Sequence, residues 1–205
     1  CKTRSYNDIS SAQYHTHKLQ IHIVRISYPA ALCAKECMVI HSTTMIIFGI
    51  DPGIARVGWA IIHEEKGKQN PVAYGCITTK KETALPARLL SMHKEITKLF
   101  SAYHPDVLSL EELFFAKNEK TAIMVGEARG VVLLAAAQHR IGVVSYSPPS
   151  IKLAICGHGK AEKLQVQRMV TRLLHLKEIP KPDDTADALA IALTHAYSYK
   201  MKGLL

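Results

Sequence analysis

The side chains in this sequence best placed to do chemistry are carboxylates at the ends of apolar runs. Asp51 closes the first run of MIIFGIDPGIARVGWAII ahead of a bend at Gly53, Glu111 and Glu112 close DVLSLEE, and Asp183, Asp184 and Asp187 sit together in PDDTADALAIALTH. A carboxylate in an apolar setting shifts its pKa or destabilises the fold unless a positive partner faces it. Asp184 and Asp187 are three apart and share one face of a helix, whose N-terminus favours their ionised form. An N-cap role accounts for Asp183 or Asp184 taken singly, but it leaves the second acid unexplained. Asp51 and Glu111 each terminate an apolar strand and decorate no solvated face. Carboxylates converging from two strand ends and a helix start repel one another, and a hard cation such as Mg²⁺, which takes a few carboxylates with waters and phosphate oxygens, removes the conflict. Such a cluster on a basic protein suits two-metal phosphodiester hydrolysis, in which one ion activates water and the other stabilises the leaving oxygen. Spacing alone does not separate Glu111 from Glu112, or Asp183 from Asp184.

The elements that must carry these acids are legible from Met45 onward. Short β-rich runs IIFGID, RVGWAIIH and PVAYGCITT, the last two separated by the polar loop EEKGKQN, predict an antiparallel meander. LPARLLSMHKEITKLFSAY repeats apolar residues at helical spacing, with Leu85, Leu89, Met92, Ile96 and Leu99 on one face. A strand in DVLSLEE, a long helix in TAIMVGEARGVVLLAAAQH, a strand in IGVVSYSP and helices in AEKLQVQRMVTRLLHL and DTADALAIALTHAYS complete the order. β-β-β-α-β-α-β-α-α predicts a mixed five-stranded sheet covered by helices.

The 205 residues are enough for one domain with a substantial core. Lys and Arg number 26 against 17 Asp and Glu, a net +9 that favours a polyanionic partner, nucleic acid or an anionic membrane. The five cysteines are odd in number and scattered, which argues against a zinc framework and for a reduced, cytosolic setting. Apolar runs fall short of the roughly eighteen residues a membrane span needs. Residues 1–44 differ in composition, rich in His, Ser, Thr and Tyr and without a clear period, and read as an extension that is disordered or foreign to the native protein. The domain is expected over residues 45–205.

Over that stretch the chain resembles the RuvC-type Holliday junction resolvases. The resemblance rests on GIDPG at Gly49–Gly53, LSLEELFFAKN, GEARGVV, GHGKAEKLQVQRMV and DDTADALAIALTH, which are specific together. It implies an α/β, ribonuclease H-like fold and symmetric nicking of four-way DNA junctions in recombination and repair. It also implies a homodimer, two Mg²⁺ per active site with Mn²⁺ as a substitute, and partnership with the RuvA and RuvB branch-migration complex. The family's catalytic and metal-binding acids fall on Asp51, Glu111, Asp184 and Asp187, choosing Glu111 over Glu112 and Asp184 over Asp183. DNA contacts fall on Phe114, an aromatic in FFAKNEK suited to stacking on an unpaired base beside Lys117, and on Lys152 and Lys163 near the scissile phosphate. Lys163 follows Gly157 and Gly159, whose backbone suits close approach of a phosphate to a helix N-terminus. The small residues Ala122, Gly126, Gly130 and Ala137 make a smooth stripe on the long helix, which the resemblance places at the dimer interface. Two other readings are weaker. A sugar-kinase or chaperone-like ATPase shares D-P-G-x-x-x-x-G (Asp51–Gly58) but doubles the domain, and a catalytically inactive junction-binding module has no need of the full acid set.

Overall fold

The computed structural model describes residues 22–23, 44–112 and 119–202. Two residues of the stretch read as an extension form a short strand, β1 (His22–Ile23), and the next three strands are β2 (Thr44–Asp51), β3 (Arg56–Glu65) and β4 (Lys68–Thr78). After helix α1 (Leu85–Tyr103) come β5 (Val107–Glu111), α2 (Glu119–Gln138), β6 (Gly142–Tyr146), α3 (Pro148–Cys156), α4 (Lys163–Leu173) and α5 (Asp183–Lys202). The sheet order is β1-β4-β3-β2-β5-β6. β2, β3 and β4 form the predicted meander, β5 and β6 join it in parallel, and β1 adds a sixth, edge strand beside β4.

Two local features depart from the sequence reading. The polar stretch EEKGKQN is no loop: β3 continues to Glu65 and β4 resumes at Lys68. Only Lys66 (φ 50°) and Gly67 (φ 89°) turn the chain, both at the positive φ that a tight hairpin turn demands. The segment after Ser147 is a helix, α3, that apolar spacing did not reveal. Its signal lies at its ends: the Ser150 N–H donates to Ser147 Oγ, proline opens the first turn, and Gly157 (φ 79°) closes the last.

Strand side chains alternate between two cores. Phe48, Ile50, Trp59, Ile61, Leu108 and Leu110 pack beneath Met92, Ile96 and Phe100 of α1 and Ala128 and Val132 of α2. Ile47, Ala60, Ile62 and Val107 face α5, which is apolar nearly all round because α3 and α4 cover its outer side through Ile151, Ile155, Val166 and Val170. By the same alternation Gly49, Asp51, Gly58, Ser109 and Glu111 lie on the α5 face. Ser109 Oγ donates to the Ile191 carbonyl of that helix at 3.1 Å. Among the described residues no helix is long and apolar enough to cross a membrane.

The approach of α5 is set by glycine. A Cβ on Gly58 would stand 1.8 Å from the Asp184 carbonyl oxygen, and one on Gly49 would stand 2.3 Å from that of Ala188. Gly58→Ala therefore pushes the first turn of α5 off the sheet. The expected loss is about 1–3 kcal/mol, the usual cost of forcing a methyl into a filled space, read as a lowered thermal melting point. A parental melting point would show that the helix tolerates retreat.

Candidate active site

Asp51 and Glu111 are the last residues of neighbouring parallel strands, and since Ile50 pairs with Leu110, the two acids follow side by side. Asp51 also pairs with Gly58 across β3, and Gly58 is the residue on which Asp184 rests. The N-terminal turn of α5 thus delivers Asp184, and Asp187 one turn on, to the same corner as the strand-end acids. Glu112 points away: its N–H donates to the Tyr146 carbonyl, and its charge acts on Arg129. The structure brings together the four acids assigned by resemblance.

Their mutual repulsion is visible in their proton affinities. Burial, then the charges of Asp187, Glu111 and Asp184, push Asp51 up to about 7, with Lys163 opposing. Burial and Asp187 raise Glu111, against the pull of Lys152 and Lys163. Burial also raises Asp187, against Lys163. Two cations answer the acids directly. Lys163 Nζ donates to Asp183 Oδ2 at 2.6 Å and lies 2.9 Å from Asp187 Oδ2, while Arg56 Nε lies 3.1 Å from Asp184 Oδ2. Burial disfavours the Lys163 charge, but its bonds to Asp183 and Asp187 prevail and raise its pKa. The Arg56 contact is an ion pair without hydrogen-bond alignment, so Asp184 Oδ2 is a buried acceptor with no donor.

Of the predicted DNA-contacting residues, Lys163 opens α4 and Lys152 sits on α3 with its charge reaching Glu111. Phe114 and Lys117 lie outside the described residues. Gly157 is occupied in capping α3, its N–H bonded to the Leu153 carbonyl at 2.9 Å, and the N–H of Glu162 is taken by Gln165. Two of the backbone N–H groups of that segment are thus engaged within the chain. Sequence reasoning missed Arg56 as a member of the site, and Asp183, weighed against Asp184 and set aside, lies beside it as the partner of Lys163. Arg56 shares the parity of Gly58 and Ala60, a signal that was available. It also missed two arginines behind the sheet. Arg88 from α1 donates to Thr79 Oγ1 and to the Ile54 carbonyl in the loop after Asp51, and Arg129 from α2 donates to the carbonyl of Glu111. Nothing in apolar periodicity marks either.

As placed, and among the described residues, no three His, Cys, Asp or Glu side chains close into a metal-binding group. The donor set nevertheless suits a hard cation. It is all carboxylate, one oxygen of Asp184 is buried without a donor, and the burial and neighbouring charges that raise the pKa of Asp51 are what an added cation would offset.

Acids on adjacent parallel strand ends, met on the same face of the sheet by acids from the first two turns of a helix, mark a nuclease of the ribonuclease H-like fold. The chain belongs to the RuvC family of crossover junction endodeoxyribonucleases, whose description "Crossover junction endodeoxyribonuclease RuvC" matches residues 47–195. It is 48% identical over 157 residues to the RuvC of Halothermothrix orenii, covering 77% of this chain and 95% of that one. The RuvC of Desulfitobacterium hafniense strain DSM 10664 is 50% identical over 157 residues, with 77% and 95% covered. Among solved structures, T. thermophilus RuvC in complex with a Holliday junction substrate superposes with a TM-score of 0.73 at 36% identity, covering 77% of this chain and 96% of that one. The yeast mitochondrial Holliday junction resolvase shares the fold at a TM-score of 0.54 and 15% identity, with 81% and 88% covered.

The raised pKa of Asp51 makes stability depend on pH. An acid whose folded pKa is about 7 against an ordinary 3.8 binds more protons in the folded state between those values. Its contribution is therefore complete below pH 4 and lost as pH rises through 7, on the order of 4 kcal/mol at about 1.36 kcal/mol per pKa unit. Metal-free Asp51→Asn should melt above the parent at pH 8, with the gap closing toward pH 4. A pH-independent gap in the melting points would show that the acid is not repelled in the fold.

Proposed function

We propose that this chain is a divalent-cation-dependent endonuclease that resolves four-way DNA junctions by paired nicks in recombination and repair. The observation that carries this reading is the convergence of Asp51, Glu111, Asp184 and Asp187 on one corner of a RuvC-family fold. Family membership and the junction bound by the T. thermophilus relative supply the substrate.

Asp51, Glu111, Asp184 and Asp187 would hold the cations, two Mg²⁺ with Mn²⁺ as a substitute, because hard oxygen donors favour hard ions. Bound there, such ions supply an activated water and stabilise a leaving oxygen. The chain's own cations bring the phosphate in. Arg56 and Lys163 are about half exposed at the rim, with relative side-chain exposures of 50% and 55%, and reach the acids from different elements. Once the carboxylates turn to another cation, both are free to pair with DNA phosphate. Lys152 stands beside Glu111 for the same purpose, and Phe114 and Lys117 are assigned to the junction centre by family resemblance.

The protein acts as a homodimer in this reading, which places two sites in two-fold relation on a two-fold substrate. Supporting it is the outer stripe of α2. Ile123 is 64% exposed, Leu134 is 54% exposed, and a Cβ on Gly130 would meet nothing within 4 Å. The helix packs within the chain through Ala128, Val132, Ala135 and Ala136 instead. A cytoplasmic setting agrees with the free thiols of Cys76 and Cys156, and partnership with RuvA and RuvB follows from the family. Residues 1–44 are assigned no part in the chemistry.

Amide replacement of any of the four acids should lower single-turnover nicking of a synthetic junction by orders of magnitude. Metal-free binding in a gel shift should persist or tighten, since like charge facing phosphate is removed. Glu112→Gln is the active control, and Ca²⁺ in place of Mg²⁺ should allow binding with little cutting. Near-parental nicking by Asp51→Asn or Asp187→Asn would refute the assignment. For the dimer, Leu134→Lys should weaken self-association at least tenfold in sedimentation equilibrium, and an unchanged dissociation constant would move the interface elsewhere.

A further inference from the structure

Glu111, like Asp51, has no direct cationic partner among the described residues at its side chain, whereas Asp184 and Asp187 are paired with Arg56 and Lys163. Among the described residues no hydrogen bond holds its carboxylate, and its surroundings, burial and the charge of Asp187, act against its ionised form. Its aim therefore depends on its backbone, at the point where β5 leaves the sheet. There a strand carbonyl would ordinarily be left to water, and here it is not. Arg129, reaching in from α2, donates Nη1 to the Glu111 carbonyl at 2.6 Å and Nη2 to Ser145 Oγ at 2.8 Å. Leu110 pairs with Ser145, so one guanidinium spans the ends of both parallel strands. The bond to Glu111 is charge-assisted and short, and the two-pronged grip fixes direction as well as distance. Glu112 helps to keep Arg129 charged despite its partial burial. Holding the carbonyl of a residue limits rotation about its Cα–C bond, and with it the direction of Cα–Cβ.

We propose that Arg129 is a positioning residue for Glu111, tying α2 to the strand end and holding the carboxylate in the orientation from which it joins Asp51 and Asp187 at a divalent cation. The role rests on the nuclease reading of the site. Arg129 touches neither cation nor DNA in this account and acts only through Glu111. It follows that its effect on cation binding disappears when Glu111 is already lost, whereas a residue that merely stabilised the fold would weaken binding in either background.

The test is calorimetric titration of Mn²⁺ into the full chain, for the parent, Arg129→Gln, Arg129→Lys, Glu111→Gln and the double variant Arg129→Gln/Glu111→Gln. Each protein is also tested by thermal melting, metal-free junction gel shift and single-turnover nicking. Arg129→Gln should weaken Mn²⁺ binding about 10- to 100-fold, the usual range for an outer partner of a metal ligand. Arg129→Lys, which keeps the charge and one donor, should recover part of the loss. Junction affinity without metal should stay within about twofold of the parent. The double variant should bind Mn²⁺ as Glu111→Gln does. Parental Mn²⁺ affinity in Arg129→Gln, or losses that multiply in the double variant, would overturn the role. If Arg129→Gln fails to fold, the same comparison is made with Arg129→Lys in both backgrounds, and multiplying losses there overturn it equally. A parent protein that binds Mn²⁺ but cuts no junction overturns the nuclease reading instead, and leaves the coupling between Arg129 and Glu111 measurable.

Discussion

Where α5 crosses β2 and β3, helix backbone lies against strand backbone, and a methyl on Gly58 would fall 1.8 Å from the Asp184 carbonyl. The rest of the site depends on that contact. Asp184 and Asp187 are borne by the helix, Asp51 by the strand beneath it, and the spacing between them is the thickness of a glycine. A bulkier residue at either crossing would separate the acids by moving a whole helix. Apolar burial along both faces of α5, from Ala188 to Ala196, opposes that movement. The chemistry is thus tied to the best-packed element of the domain and not to a loop.

Packing of this kind works against the electrostatics it creates. Burial at the helix–sheet crossing, and then the charges of Asp187, Glu111 and Asp184, raise the pKa of Asp51 from 3.8 to about 7. The ion pairs that answer it are modest. Lys163 and Arg56 are about half exposed, and pairs at such positions are worth roughly 0–1 kcal/mol each. What remains of the conflict is held by the two cores. A site left so poorly compensated by its own protein has a large favourable response to a cation arriving from outside. The same residues are therefore a burden on the free fold and, in the proposed reading, the groups a metal ion would relieve.

The acids themselves were legible because each marks a boundary. Asp51 ends a β-rich run, Glu111 ends another, and Asp184 with Asp187 opens an apolar helix, so a pattern of elements and a pattern of charges coincided. The choice of Glu111 over Glu112 follows physically from pleating, since only one parity at the end of β5 faces α5, but it required knowing where the strand stops. Helix α3 escaped because its nine residues are shorter than the window in which helical spacing declares itself, and its caps, Ser147 and Gly157, carried the only signal. The hairpin at Lys66 and Gly67 escaped because charged residues on a solvent-facing strand end look like loop. Arg88 and Arg129 were beyond reach for a different reason. Their partners are backbone carbonyls remote in sequence, and a carbonyl leaves no trace in composition.

Those two arginines complete the geometry from the other side of the sheet. Each of the strands that ends in one of the clustered acids has a carbonyl gripped by a guanidinium: that of Ile54, just beyond β2, by Arg88 of α1, and that of Glu111, at the tip of β5, by Arg129 of α2. On one face, then, α5 brings acids to the strand ends, and on the opposite face α1 and α2 hold the backbone from which the strand-end acids project. The two grips answer a single difficulty. Strand termini are where ladder hydrogen bonds run out, and so where a backbone is least fixed, yet they are also where a carboxylate must stand to be both framed by the sheet and open to solvent. A neutral hydrogen bond there would compete with water on nearly equal terms. A guanidinium largely withdrawn from water competes better, being charged and forked. The cations around the site accordingly divide by depth: Arg88 and Arg129 beneath the sheet hold its backbone, while Arg56 and Lys163 at the rim pair with the acids themselves.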